Sequence, residues 1–96
     1  MIHLVLAAAL AAPTVIIDDF KFTPATVTVT AGQSVRFINK DQEAHTVTST
    51  DHIFDSAGMD SGDTFTYRFA KPGRYTYFCT LHPWMKGVIV VKAAPK

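Results

Sequence analysis

The chain has 96 residues, of which 48% are hydrophobic, 18% charged and 11% aromatic. That suffices for one domain with a single core and excludes a disordered or collagen-like chain. A formal net charge of +1, with no Lys/Arg cluster, offers no field for nucleic acid, so a partner has to be recognised by a local patch.

Leu4–Ala12 is apolar and rich in small residues, and too short to span a bilayer. Ala9-Leu10-Ala11 offers an Ala-x-Ala cleavage site, although Met1-Ile2-His3 brings no cation ahead of it. Residues 1–12 therefore read as the remnant of a signal peptide, with an N-terminal strand as the other reading. Residues 13–96 read as one domain. The signal reading implies export, to the periplasm or a comparable compartment, without stable membrane insertion.

From Thr14 to Phe22 the chain is β-branched and aromatic, with no helical period. Thr26–Thr30 alternates strictly, which places Val27 and Val29 inward in a strand that Pro24 opens and Ala31-Gly32 closes. Ser34–Asn39 alternates again, with Val35, Phe37 and Asn39 on one face. An inward Asn needs partners. It either ties the Lys40–Ala44 loop to the functional site or caps a turn. His45–Ser49 is a further short alternating run, with His45 on the side of Val47. Asp51–Gly62, rich in Gly, Asp and Ser, reads as a loop holding a solvated His52. Asp63–Phe69 puts Phe65, Tyr67 and Phe69 inward, and the turn Lys71-Pro72-Gly73 suggests a hairpin with Arg74–Cys79. Gly87–Lys92 closes the series. About seven short strands with regular turns and no helical stretch predict an all-β sandwich or small barrel of monomeric size.

The chemistry concentrates in Cys79, His82 and Met85, a thiol, an imidazole and a thioether three residues apart. A single cysteine rules out an internal disulfide, and a small buried hydrophobe would not explain His and Met at these spacings. Thiolate and thioether are soft donors and imidazole is intermediate, a set suited to both oxidation states of copper. Two imidazoles and a thiolate with a long axial Met form the blue-copper arrangement, and only one imidazole is missing from the run. His45 is the candidate for it, with His52 in reserve.

Phe20-x-Phe22-x-Pro24, Val29-x-x-Gly32-x-x-Val35-x-Phe37-x-Asn39 and His45-Thr46-Val47 resemble the first half of small cupredoxins. Tyr75-x-Tyr77-x-Cys79-x-x-His82-Pro83-x-Met85 resembles the second half, with the short ligand loop of amicyanin-like members. The resemblance covers about Val15 to Val91. It implies a Greek-key β-sandwich of seven to eight strands holding one type 1 copper, with His45, Cys79 and His82 equatorial and Met85 axial. It also implies that Asn39 braces the loop before His45. The chain departs from common members at Thr46, where Asn or Ser is frequent, and at Trp84, where Phe is. The function expected is one-electron shuttling between redox proteins, with copper transport as the alternative. Four protein ligands leave no open metal position, so no enzyme activity is expected. Leu81, Pro83, Trp84 and Met59 are the residues expected to form an apolar patch around His82. A redox partner, such as a dehydrogenase or c-type cytochrome, would dock there transiently.

Overall fold

The computed structural model describes residues 12–95, so the reading of residues 1–11 lies outside the described part. Eight strands form two four-stranded sheets, and none of the described residues is helical. The first sheet has the order β2-β1-β4-β6 and is built from β1 (Thr14–Asp18), β2 (Lys21–Thr23), β4 (Ser34–Asn39) and β6 (Thr64–Arg68). The second has the order β3-β8-β7-β5, from β3 (Thr26–Thr30), β5 (Thr48–Ser49), β7 (Gly73–Phe78) and β8 (Lys86–Lys92). Two of the pairings, β1 with β4 and β3 with β8, are parallel, so successive strands pass between the sheets instead of pairing as a simple meander.

Period-2 burial explains the strands. In β4 the faces separate cleanly: Val35, Phe37 and Asn39 are buried, and Arg36 is exposed. Val15 and Ile17 of β1 and Ile89 and Val91 of β8 do the same from their own sheets. Tyr77 stands at the centre of the core, edge-on to Phe22 and Phe37 at centroid distances of 4.7 and 5.4 Å. Its partner across the ladder is Gly87, where a Cβ would come within 2.3 Å of the ring and hydroxyl. Only a residue without a side chain leaves room for the tyrosine.

Two expectations are corrected. Residues 63–69 and 74–79 do not form a hairpin: β6 pairs with β4, while β7 pairs with β8 and β5 in the opposite sheet. The turn at Lys71-Pro72-Gly73 is a crossover between layers. The inward aromatics of β6 face the core from one side and those of β7 from the other, and side-chain parity alone does not distinguish that from pairing. His45–Ser49, read as a short alternating run, does not alternate in burial. Only Thr48–Ser49 joins the ladder, and all five residues are buried. The reason is the segment 51–62, which turns back and pairs with the run: Ser49 N–H donates to Phe54 O, Ser56 N–H to Val47 O, and His45 and Met59 bridge each other. Phe54 and Met59 become core residues in the process.

Candidate metal centre

Cys79 follows β7 directly and is completely buried. From there the chain makes two successive tight turns. His82 N–H donates to Cys79 O at 3.2 Å, and Met85 N–H donates to His82 O at 2.9 Å. Cys79 N–H then closes the loop onto Met85 O at 3.1 Å. Pro83 sits at the first central position of the second turn, where its fixed φ is pre-set for the bend. The three-residue spacing of Cys79, His82 and Met85 thus has a backbone cause: each begins or ends a turn. Met85 is buried, His82 half-buried, and Leu81, Pro83 and Trp84 beside His82 in the loop are all exposed.

His45 arrives from the other side of the loop. It is fully buried, and its main chain is held to Met59 by two bonds of 3.1 and 2.8 Å. Its Nδ1 lies 3.7 Å from Cys79 Sγ and 3.2 Å from His82 Nδ1, and Cys79 Sγ is 3.6 Å from His82 Nδ1. The point equidistant from these three atoms is about 2.0 Å from each, which is metal–ligand length for nitrogen and close to it for sulfur. The donor set therefore fits a metal ion of intermediate to soft character. His52 is exposed and is not part of the cluster, whereas His45 is.

The surroundings fix the ligands. Thr46 N–H donates to Cys79 Sγ at 3.3 Å. The Thr46 hydroxyl accepts from Thr80 N–H at 2.8 Å and contacts the hydroxyls of Thr48 and Thr80 at 2.9 and 3.2 Å. The Thr that departs from common members thus stitches the two ligand-bearing segments together. Asn39 ties the loop that precedes His45. Its Nδ2 donates to Glu43 O and Met59 O, both at 2.9 Å, and its Oδ1 accepts Asp41 N–H at 3.0 Å. Both roles open to Asn39 are found: its amide ties the loop to Met59, and its Oδ1 caps the turn at Asp41.

Two residues of the site were not read from the sequence. Asp41 Oδ2 lies 2.7 Å from His45 Nε2 and accepts Phe20 N–H at 2.9 Å, while Oδ1 accepts Asp19 N–H at 2.7 Å. Burial alone would raise the carboxyl's pKa, but the hydrogen bonds from Phe20, His45 and Asp19 outweigh it and hold the group below the usual aspartate value. Phe20 stands edge-on to both His45 and His82, with centroids 5.2 and 4.9 Å away. A carboxylate four residues before a ligand histidine was the available signal for Asp41. Nothing local marked Phe20. Met59, expected in the surface patch, is instead buried and paired through its backbone with His45.

A cupredoxin-like domain model matches residues 3–91. Amicyanin-alpha of Methylorubrum extorquens is 33% identical over 85 residues, covering 79% of this chain and 68% of its own length. A purple cupredoxin from Nitrosopumilus maritimus superposes with a TM-score of 0.80 at 26% identity, covering 83% of this chain and 99% of that one. A copper-containing nitrite reductase from Thermus scotoductus gives a TM-score of 0.81 at 28% identity, over 90% of this chain but only 23% of the enzyme. The chain belongs to the cupredoxin-like domain family. Copper is the metal of that family, and the Nδ1/Nδ1/Sγ cluster with Met85 beside it is a type 1 copper-like site.

Proposed function

We propose that the protein is a small electron carrier, holding one type 1 copper and passing single electrons between redox proteins. His45 Nδ1, Cys79 Sγ and His82 Nδ1 would hold the ion, with Met85 as the fourth ligand. The observation that carries this reading is the convergence of two imidazole nitrogens and one thiol on a single point, with His45 and Cys79 fully buried. Cu(I) and Cu(II) prefer different geometries, and ligands locked by the fold cannot move far when the charge changes. The copper supplies the redox couple, and the chain supplies the fixed donor set and a dry, hydrogen-bonded surround.

Electrons would enter and leave at His82. Trp84 is 68% and Leu81 54% exposed beside it, and the Trp84 ring lies 5.4 Å from the His82 ring. An exposed apolar patch of this kind suits transient docking. Charge supports a partner with a basic rim. The site end of the sandwich carries Asp18, Asp19, Asp41, Glu43, Asp60 and Asp63, against Lys21, Lys40 and Lys86. The opposite end, where β8 finishes and β6 crosses to β7, carries Arg68, Lys71, Arg74 and Lys92. A field of this sense steers a cationic face to the copper end, and it weakens with salt. The Ala-x-Ala run at residues 9–11 supports a periplasmic or other exported setting.

The deciding experiment is the visible spectrum of the protein with Cu(II) beside a Cys79→Ala control. An intense blue band, absent from the control and reversibly bleached by a reductant, is the expected result. A weak band with tightly held Cu(I) would favour copper transport, and no binding of either ion would refute both readings.

A further inference from the structure

Metal binding at His45 needs the lone pair of Nδ1, so the ring proton has to sit on Nε2. Which tautomer a neutral imidazole adopts is set by the partner of its other nitrogen. For His45 that partner is Asp41 Oδ2, at 2.7 Å. An ionised carboxylate can only accept, so Nε2 is the donor and Nδ1 is left bare. The same side chain does a second job. Asp19 and Phe20 both adopt left-handed backbone, at φ 54° and 57°. Such a conformation is disfavoured for any residue with a side chain, and for phenylalanine it is a genuine outlier. Two of the carboxylate's bonds hold these two residues by their amides, at 2.7 and 2.9 Å. The outcome of the strain is that the Phe20 ring sits perpendicular to both histidine rings, at interplanar angles of 90° and 89°. Strain held in place by a side chain that also touches a ligand calls for a functional account.

We infer that Asp41 is the positioning residue of the copper centre: one carboxylate selects the metal-ready tautomer of His45 and, through the Asp19–Phe20 turn, seats the aromatic cover over both imidazoles. Its negative charge would stand one imidazole away from a metal held by His45 Nδ1. It therefore favours Cu(II) over Cu(I) and holds the reduction potential down. The inference rests on the copper reading, but the tautomer and the cover are properties of the metal-free protein and are tested there.

The first test is long-range ¹H–¹⁵N correlation of the metal-free, labelled protein. His45 is expected as the Nε2–H tautomer, with its proton protected from exchange, and Phe20→Leu is expected to lose that protection while keeping the tautomer. The second test measures Cu(II) and Cu(I) affinities. Asp41→Asn is expected to lower Cu(II) affinity about 10–100-fold. Cu(I) affinity falls about tenfold less, which raises the potential by about 59 mV for this one-electron couple. Asp41→Glu, which keeps the carboxylate, recovers most of that change. An Nδ1–H tautomer in the wild-type protein overturns the proposal, and so does an Asp41→Asn protein whose two affinities fall equally. If Asp41→Asn does not fold, the wild-type tautomer still decides. A wild-type protein with the expected tautomer but no copper affinity would sink the carrier reading and leave the positioning role in place.

Discussion

The centre is assembled from two regions built on different principles. The loop 79–85 contributes three of the four proposed ligands within seven residues, and it is closed by its own backbone through the 79–82, 82–85 and 85–79 hydrogen bonds. The region around His45 contributes one ligand and is closed by groups drawn from several separate segments, some near in the chain and some distant. Asn39, Asp41, Met59, Thr80 and the Asp19–Phe20 turn all touch it or its neighbours. The first region carries the chemistry in local spacing. The second carries the precision of the site, and its information is non-local. Substitutions should therefore act differently in the two regions: near the loop they change what the metal or partner meets, and in the surround of His45 they change whether the site exists before metal arrives.

The largest effect is expected at the base of the loop, where it returns into the sandwich. Gly87→Ala places a Cβ within 2.3 Å of the Tyr77 ring, which is itself wedged between Phe22 and Phe37. The ring cannot move without repacking the core, and overpacking costs about 1–3 kcal/mol and occasionally more, with this contact at the severe end. Chemical denaturation of the metal-free protein should show a marked loss of stability, or no folded protein at all. On the other side, Asn39→Ala removes three hydrogen bonds from a fully buried position. At about 1 kcal/mol each it should cost about 3 kcal/mol, and it should weaken Cu(II) binding because the tie between Met59 and the loop before His45 is lost. If metal-free stability fell while Cu(II) affinity stayed at the wild-type value, the surround of His45 would not have the placing role assigned to it.

The same contrast explains what could be read from sequence. Cys79, His82 and Met85 were legible because turn geometry and ligand spacing coincide within one stretch. The strands were legible because burial alternates, as in Ser34–Asn39. The strand partners were not: Phe65, Tyr67 and Phe69 face inward equally well in a hairpin with β7 or in the opposite sheet with β4. His45–Ser49 misled because segment 51–62 buries its outer face, and nothing in the run itself reports that cover. Asn39 announced a need for partners without naming them. Asp41 could have been found by asking which carboxylate stands before the ligand histidine. Phe20 could not, since its role depends on a left-handed turn whose carboxylate clamp is twenty-one residues away.

A smaller effect, and of opposite sign, is expected inside the core that both regions share. The hydroxyl of Tyr77 is buried without a hydrogen-bond partner among the described protein groups. Leaving such a group unsatisfied costs about 1–3 kcal/mol, so Tyr77→Phe should stabilise the fold by about 1–2 kcal/mol. Burial also pushes the Tyr77 hydroxyl well above the ordinary tyrosine value of 10.0. A group whose pKa is raised on folding contributes its full stability below the unfolded pKa and loses it as pH rises beyond. The wild-type protein should therefore lose stability above about pH 10 as the unfolded chain ionises and the folded one does not. Tyr77→Phe should lack that component. Denaturation curves of both proteins at pH 8 and pH 11 give the comparison, and a stability gap that failed to widen with pH would mean that burial does not keep the hydroxyl protonated.

The smallest effect on the fold is expected at the surface of the ligand loop. Trp84 is 68% exposed, and the loop is closed by backbone bonds that do not involve its side chain. Trp84→Ala should therefore change stability by less than about 0.5 kcal/mol. It also leaves Cys79 Sγ, its Thr46 N–H partner and both ligand histidines in place, so the blue absorption should be unaltered. What it removes is the largest apolar side chain beside His82, where a partner would have to come into contact for electrons to pass. Single side chains of this type dominate docking patches, and the loss of one is worth at least about 1 kcal/mol of complex stability. The electron-transfer rate with a basic redox protein such as a c-type cytochrome should fall by about fivefold or more, while the rate with a small inorganic oxidant changes little. A protein with an unaltered rate toward the cytochrome would move the docking face away from His82. A protein whose spectrum changed would show that the two regions are not as separable as their hydrogen bonds indicate.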